Sequence, residues 1–102
     1  MSVTVHWVIK KLVLRLHFLA FVSSKSPHVE DLRKYTNLIL DGDEGTAGQV
    51  NLPDNPPSEL PDRLEFLVSY ARLCWHEPPS EVWFLLQFLE EIIDLLRENE
   101  TA

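Results

Sequence analysis

The clearest periodicity lies near the C-terminal end of the chain. Val82, Leu85, Leu86, Leu89, Ile92, Ile93 and Leu96 recur three and four residues apart, which on a helix of 3.6 residues per turn places them on one broad face. Ser80 stands where such a helix begins, so the spacing predicts a helix over 80–99 capped by Ser80. Trp83, Phe84 and Phe88 widen the apolar surface well beyond one stripe. A helix that is apolar nearly all round in its first turns is either central in a bundle or covered by another chain.

Two further stripes precede it. Leu64, Leu67, Val68, Ala71 and Trp75 predict a helix over 60–76, with Asp62 and Glu65 spaced as a capping box and Pro78 forcing an end. His76, Glu77, Pro78 and Pro79 then form a tight corner. Val29, Leu32, Tyr35 and Ile39 predict a helix over 27–41, where Ser26 caps, Pro27 suits the first position, Glu30 and Asp31 favour the positive end, and Gly42 closes the last turn. Between these two helices fall Gly42, Gly45, Gly48, Pro53, Pro56, Pro57 and Pro61, so 42–60 reads as a Gly/Pro-rich loop longer than the usual connection.

The N-terminal stretch carries two conflicting signals. Val3, Val5 and Trp7 alternate with polar residues, and Leu12, Leu14, Leu16 and Phe18 alternate almost perfectly after them, which is the period of a strand. The run continues for about twenty residues without a turn signal, and no second strong strand exists to pair with it. A long helix over 3–23 is the preferred reading. The alternative is an α+β fold with an N-terminal strand paired across a dimer. The expected fold is therefore all-α, a small bundle of three or four helices forming one domain over 1–102.

Composition supports a packed core and bounds the setting. Of 102 residues, 45% are hydrophobic, with three tryptophans and five phenylalanines, enough to bury what a domain of this size must hide. The single cysteine, Cys74, excludes an internal disulfide framework and points to a reducing, cytoplasmic compartment. Arg15 and His17 interrupt the apolar run from Leu12 to Val22, which argues against a secretory signal or a membrane span and places the segment inside the folded domain.

Net charge is −7 and is unevenly spread. Residues 1–34 carry six bases against two acids, whereas 35–102 carry three arginines against fourteen acids. The halves are expected to attract each other, or each to seek a partner of opposite sign. Lys10, Lys11 and Arg15 form the one basic patch, too small on a chain of pI near 4.9 to suggest nucleic acid, and are expected to pair with the acidic half.

Candidate chemistry is sparse. Asp41, Asp43 and Gly45 are spaced like the start of a calcium loop, but the sixth and twelfth positions hold Thr46 and Leu52 instead of glycine and glutamate. Cys74 and His76 supply two zinc ligands where a structural site needs four, and Cys74 reads as a small buried residue or an inert thiol. Glu90, Asp94 and Glu98 line one side of a helix without the Glu-x-x-His partners of a di-metal bundle. No metal or cofactor is expected. Arg72 and His76, near a helix end, form a pattern that resembles the arginine–histidine pair of HEPN-type ribonucleases. Here only three residues intervene, fewer than in that family, which turns the histidine by about 100° on the helix. The resemblance implies an RNA-cleaving alternative centred on these two residues.

The preferred functional expectation is a small non-catalytic protein-binding module: an adaptor, an inhibitor of the immunity-protein kind, or an assembly factor. Trp83, Phe84 and Phe88, with Trp7, are the candidate partner-binding residues, because large aromatics supply most of the energy in such contacts. Another protein and a second copy of the chain are the expected partners. An obligate homo-oligomer is a further alternative.

Overall fold

Four helices account for the fold: α1 (Val3–Ser23), α2 (His28–Leu40), α3 (Leu60–Cys74) and α4 (Ser80–Thr101). They belong to a computed structural model that describes residues 3–40, 55 and 57–101, with side chains for 6–40, 55 and 57–99. Among the described residues there is no strand. Over the described residues the chain is an all-α four-helix bundle, and the helix limits agree with the sequence reading to within two residues. Most of the 42–60 loop, including its three glycines and the Asp41–Asp43 pair, lies outside the described residues.

The N-terminal segment is helical despite its alternation, so the strand alternative is wrong for a geometric reason. Two residues along an α-helix is a rotation of about 200°, so every second residue lands on nearly opposite sides. Leu16 is fully buried and Leu12 packs against the core, whereas Leu14 and Phe18 are 50% and 53% exposed. Ile9, Val13, Leu16 and Ala20, three and four residues apart, form the buried side of α1. A period-2 pattern here is two apolar helix faces back to back.

In α2 and α3 the expected core residues are found where the stripes put them. Leu32 and Tyr35 are buried with Leu64, Leu67, Val68 and Ala71, while Val29 and Ile39 pack partly buried against them. Tyr35 stacks between Phe66 and Tyr70, ring centroids 5.5 and 5.3 Å away, and ties α2 to α3. In α4 Val82, Leu85, Leu86, Leu89, Ile93 and Leu96 are buried and Ile92 is partly so.

The helix ends are joined by hydroxyls. Ser26 Oγ accepts the His28 backbone N–H at 3.1 Å, the cap expected for α2. The last carbonyls of a helix lack partners within it, and those of α3 are met from the α1–α2 turn: Ser24 Oγ donates to the Cys74 carbonyl and Ser26 Oγ to that of Leu73. Trp75, extended at φ −130°, ends α3 one residue short of His76, and its Nε1 donates to Ser23 Oγ at 3.1 Å. The C-terminal ends of α1 and α3 therefore lie together, so these helices run in one direction and α2 and α4 return.

Two expected caps are replaced. Asp62 and Glu65 do not form a capping box: Glu59 precedes the helix in extended conformation without a side-chain cap, and Pro61 occupies the first turn. Both carboxylates instead accept from Arg97 of α4, at 2.8 and 2.7 Å. Ser80 is already within α4, where the Pro79 carbonyl takes the Trp83 N–H at 3.0 Å.

Two predictions follow from this core. Leu16→Ala should cost about 2–5 kcal/mol, the range for an enclosed leucine, whereas Leu73→Ala, at a site 55% exposed, should cost well under half as much; equal losses in urea titrations would mean the bundle is not assembled as described. His17 has Nε2 buried with no hydrogen-bond partner among the described residues, and burial first, then Arg33, lowers its pKa against the opposing pull of Glu30. The fold thus favours neutral His17. No penalty exists above the unfolded pKa of about 6.5, and stability declines as pH falls below it. The denaturation midpoint should drop more steeply between about pH 7.5 and pH 5 for the natural chain than for His17→Leu; parallel profiles would show that His17 takes up its proton freely.

Candidate protein-docking face

The longest helices, α1 and α4, are also those least engaged with their neighbours inside the bundle. Their outer sides remain bare. Of the twelve large apolar side chains left well exposed among the described residues, six belong to α1 and four to α4, with two on α3 and none on α2.

On α4 the sequence-derived candidates stand outside the core. Trp83 is 49% exposed, Phe84 65% and Phe88 56%. Phe84, Phe88, Glu91 and Leu95 follow the four-three-four spacing of a single stripe, away from the side that carries Val82, Leu86, Leu89 and Ile93 into the core. Leu95, as exposed as Phe88, was not among the sequence-derived candidates. Its position eleven residues after Phe84 is the signal that marks it.

On α1 Trp7 is exposed and heads a matching stripe, Trp7, Lys11, Leu14 and Phe18, continued by Phe21 and Val22. Sequence reasoning found Trp7 and missed the rest, because their alternation with buried residues was read as a question of helix against strand. The Lys11 ammonium sits over the Trp7 ring, 4.4 Å from its centroid, and the Arg15 guanidinium lies 5.7 Å from that of Phe18.

Arg15 also makes the polar link between the two helices. Its Nε and a terminal nitrogen donate to both carboxylate oxygens of Glu81, and the paired guanidinium holds that carboxyl below its ordinary range. The attraction expected between the basic and acidic halves is thus realised at Arg15. α1 and α4 run antiparallel on either side of this bond, with the two aromatic stripes on their outward surfaces.

The other candidates are placed as follows. Arg72 and His76 share the rim of an open groove of about 450 Å³ with Trp75, Glu77 and Trp83. Arg72 is on α3, its guanidinium donating to Glu90, while His76 lies beyond the helix end in the corner. A second groove of about 330 Å³ is crossed by charged side chains, among them Arg72, Glu90, Asp94 and Arg97. Cys74 is a buried free thiol whose pKa is pushed up to about 11 by burial, which suppresses the thiolate. Among the described residues no three histidine, cysteine or acidic side chains converge on a point where a metal could sit, and no helix is long and apolar enough to cross a membrane.

Compared with protein-family models, with curated proteins and with solved structures, the chain matches none.

Proposed function

We propose that the chain is a non-catalytic protein-binding module that works through the outer face of α1 and α4. The observation that carries this reading is the concentration of half-exposed aromatic side chains there. Contiguous apolar surface larger than a few hundred Å² on a folded domain marks an interaction site. Tryptophan and phenylalanine in such a patch bring large contact area with only two rotatable side-chain bonds to immobilise.

The electrostatic frame fits a protein partner. The charge within the apolar stripe of α4 is Glu91, which favours encounter with a basic surface and disfavours acidic ones. This suits an adaptor, an assembly factor or an inhibitor that occupies a basic site. A buried thiol held in its protonated form and the lack of any second cysteine suit a reducing, cytoplasmic setting.

A ribonuclease-type reading draws on one observation, the common groove that holds Arg72 and His76. Against it, Arg72 is already engaged by Glu90, so an anionic substrate would have to displace a carboxylate. RNA cleavage abolished by His76→Ala in a chain that stays folded would establish that reading in place of ours.

The binding reading has a direct test. Phe84→Ala and Phe88→Ala should leave the urea midpoint nearly unchanged, because each ring is more than half in solvent, yet should weaken retention of the partner protein by at least tenfold, the effect of losing an aromatic anchor of about 1.4 kcal/mol or more. Retention would be measured on the tagged chain in extract of its own cells at low salt. Parallel loss of fold and retention would mean that the rings are ordinary core.

A further inference from the structure

On the reading that the α1/α4 face binds protein, we propose that its occupant is a second copy of the chain. The two copies are related by a twofold axis parallel to the helices, so that α1 of each subunit lies on α4 of the other. Three observations lead there.

The first is charge. α1 contains Lys10, Lys11 and Arg15 and no acid, whereas α4 contains Glu81, Glu90, Glu91, Asp94, Glu98 and Glu100 against Arg97 alone. Arg15 and Glu81 are paired with each other and Glu90 with Arg72, so the charges that fall within the outward stripes are Lys11 on α1 and Glu91 on α4. A face that carries both halves of a complementary pair is self-complementary under twofold rotation.

The second is geometry. α1 and α4 are adjacent and antiparallel. Two such layers meeting face to face have two simple twofold arrangements. An axis across the helices would stack α1 on α1 and α4 on α4, like charge on like. An axis along the helices exchanges them, puts α1 on the partner's α4 twice, and keeps every neighbouring pair antiparallel, as in an up-down four-helix bundle. Electrostatics selects the second.

The third is area and spacing. Trp7, Leu14 and Phe18 on α1 and Phe84, Phe88 and Leu95 on α4 are each about half exposed. At about 200 Å² per large side chain, these two stripes with Val22 offer on the order of 800 Å² of apolar surface. That is roughly what each partner contributes to a standard stable interface. Each stripe has one charge within it, Lys11 on α1 and Glu91 on α4, in the same four-three-four frame. The frame is the one helices use to interlock along their length.

The expected solution mass is twice the 11.8 kDa of the chain. Leu14→Asp, which breaks the α1 stripe, and Phe88→Asp, which breaks the α4 stripe, should each give folded monomers with unchanged helical circular dichroism. Mixed together they should recover dimers, because the mixed pair keeps one wholly intact α1–α4 contact. Stacking of α1 on α1 would leave a break in both halves of the mixed pair, and no recovery would overturn the proposed axis. Should either variant lose its helicity alone, regain of helicity on mixing is the same readout. Salt supplies an independent check: raising NaCl from about 50 to 500 mM should weaken the dimer several-fold, since the attraction between helices is screened, and strengthening would mean like charges face each other. A chain that stays monomeric, yet loses a different protein from extract on Phe84→Ala, overturns the second copy as occupant and leaves the binding role standing. A dimer indifferent to both stripe variants overturns the assignment of the face itself.

Discussion

A helix can turn only one side into a four-helix core, and α1 carries two apolar sides. Everything distinctive about the molecule follows from that constraint. Ile9, Val13, Leu16 and Ala20 occupy the available place in the core, and Trp7, Leu14, Phe18, Phe21 and Val22 are left outside by the same geometry. Surplus of this kind is costly to leave in water, at about 25 cal/mol for each Å² of apolar surface. Under the proposed binding role another chain covers it.

The same division recurs on α4, where the first turns are too rich in aromatics for one face. Trp83, Phe84 and Phe88 cannot all follow Val82, Leu85, Leu86 and Leu89 inward. With α1 and α4 adjacent, the two surpluses combine into one face instead of dispersing around the bundle. Arg15 and Glu81 join the helices at its edge, while the interior of the domain is held elsewhere, by the Tyr35 stack between α2 and α3 and by the serines that close the end of α3. Assembly of the domain and presentation of the face thus rest on different side chains.

Much of this was legible in the chain. The stripes of α2, α3 and α4 are single-faced or nearly so, and one face at helical spacing is enough to define both the helix and its buried residues. Trp83, Phe84 and Phe88 were identifiable as surplus because they fall off the α4 stripe, and Trp7 as an aromatic of the same surplus on the first helix. Leu14 and Phe18 were not, since a helix with two opposite apolar faces has the same period-2 signature as a half-buried strand; only the partners that α1 packs against separate the two. The misplaced cap has a similar origin. Asp62 and Glu65 satisfy the local rule for a capping box, but a long-range cation, Arg97, thirty-five residues from Asp62, takes both carboxylates, and no local rule contains that information.

The distribution of polar groups bears on the proposed binding role. A catalytic centre gathers titratable groups in a cleft and perturbs them there. In this bundle the groups that burial perturbs, His17, Tyr35 and Cys74, belong to the packing of the core, and none of the three lines the groove that holds Arg72 and His76. Between the helices Arg15 is matched with Glu81, Arg72 with Glu90, and Arg97 with Asp62 and Glu65. What α1 and α4 leave outward is mainly apolar, and apolar surface recognises other apolar surface. For that reason the proposed role rests on what α1 and α4 leave outward.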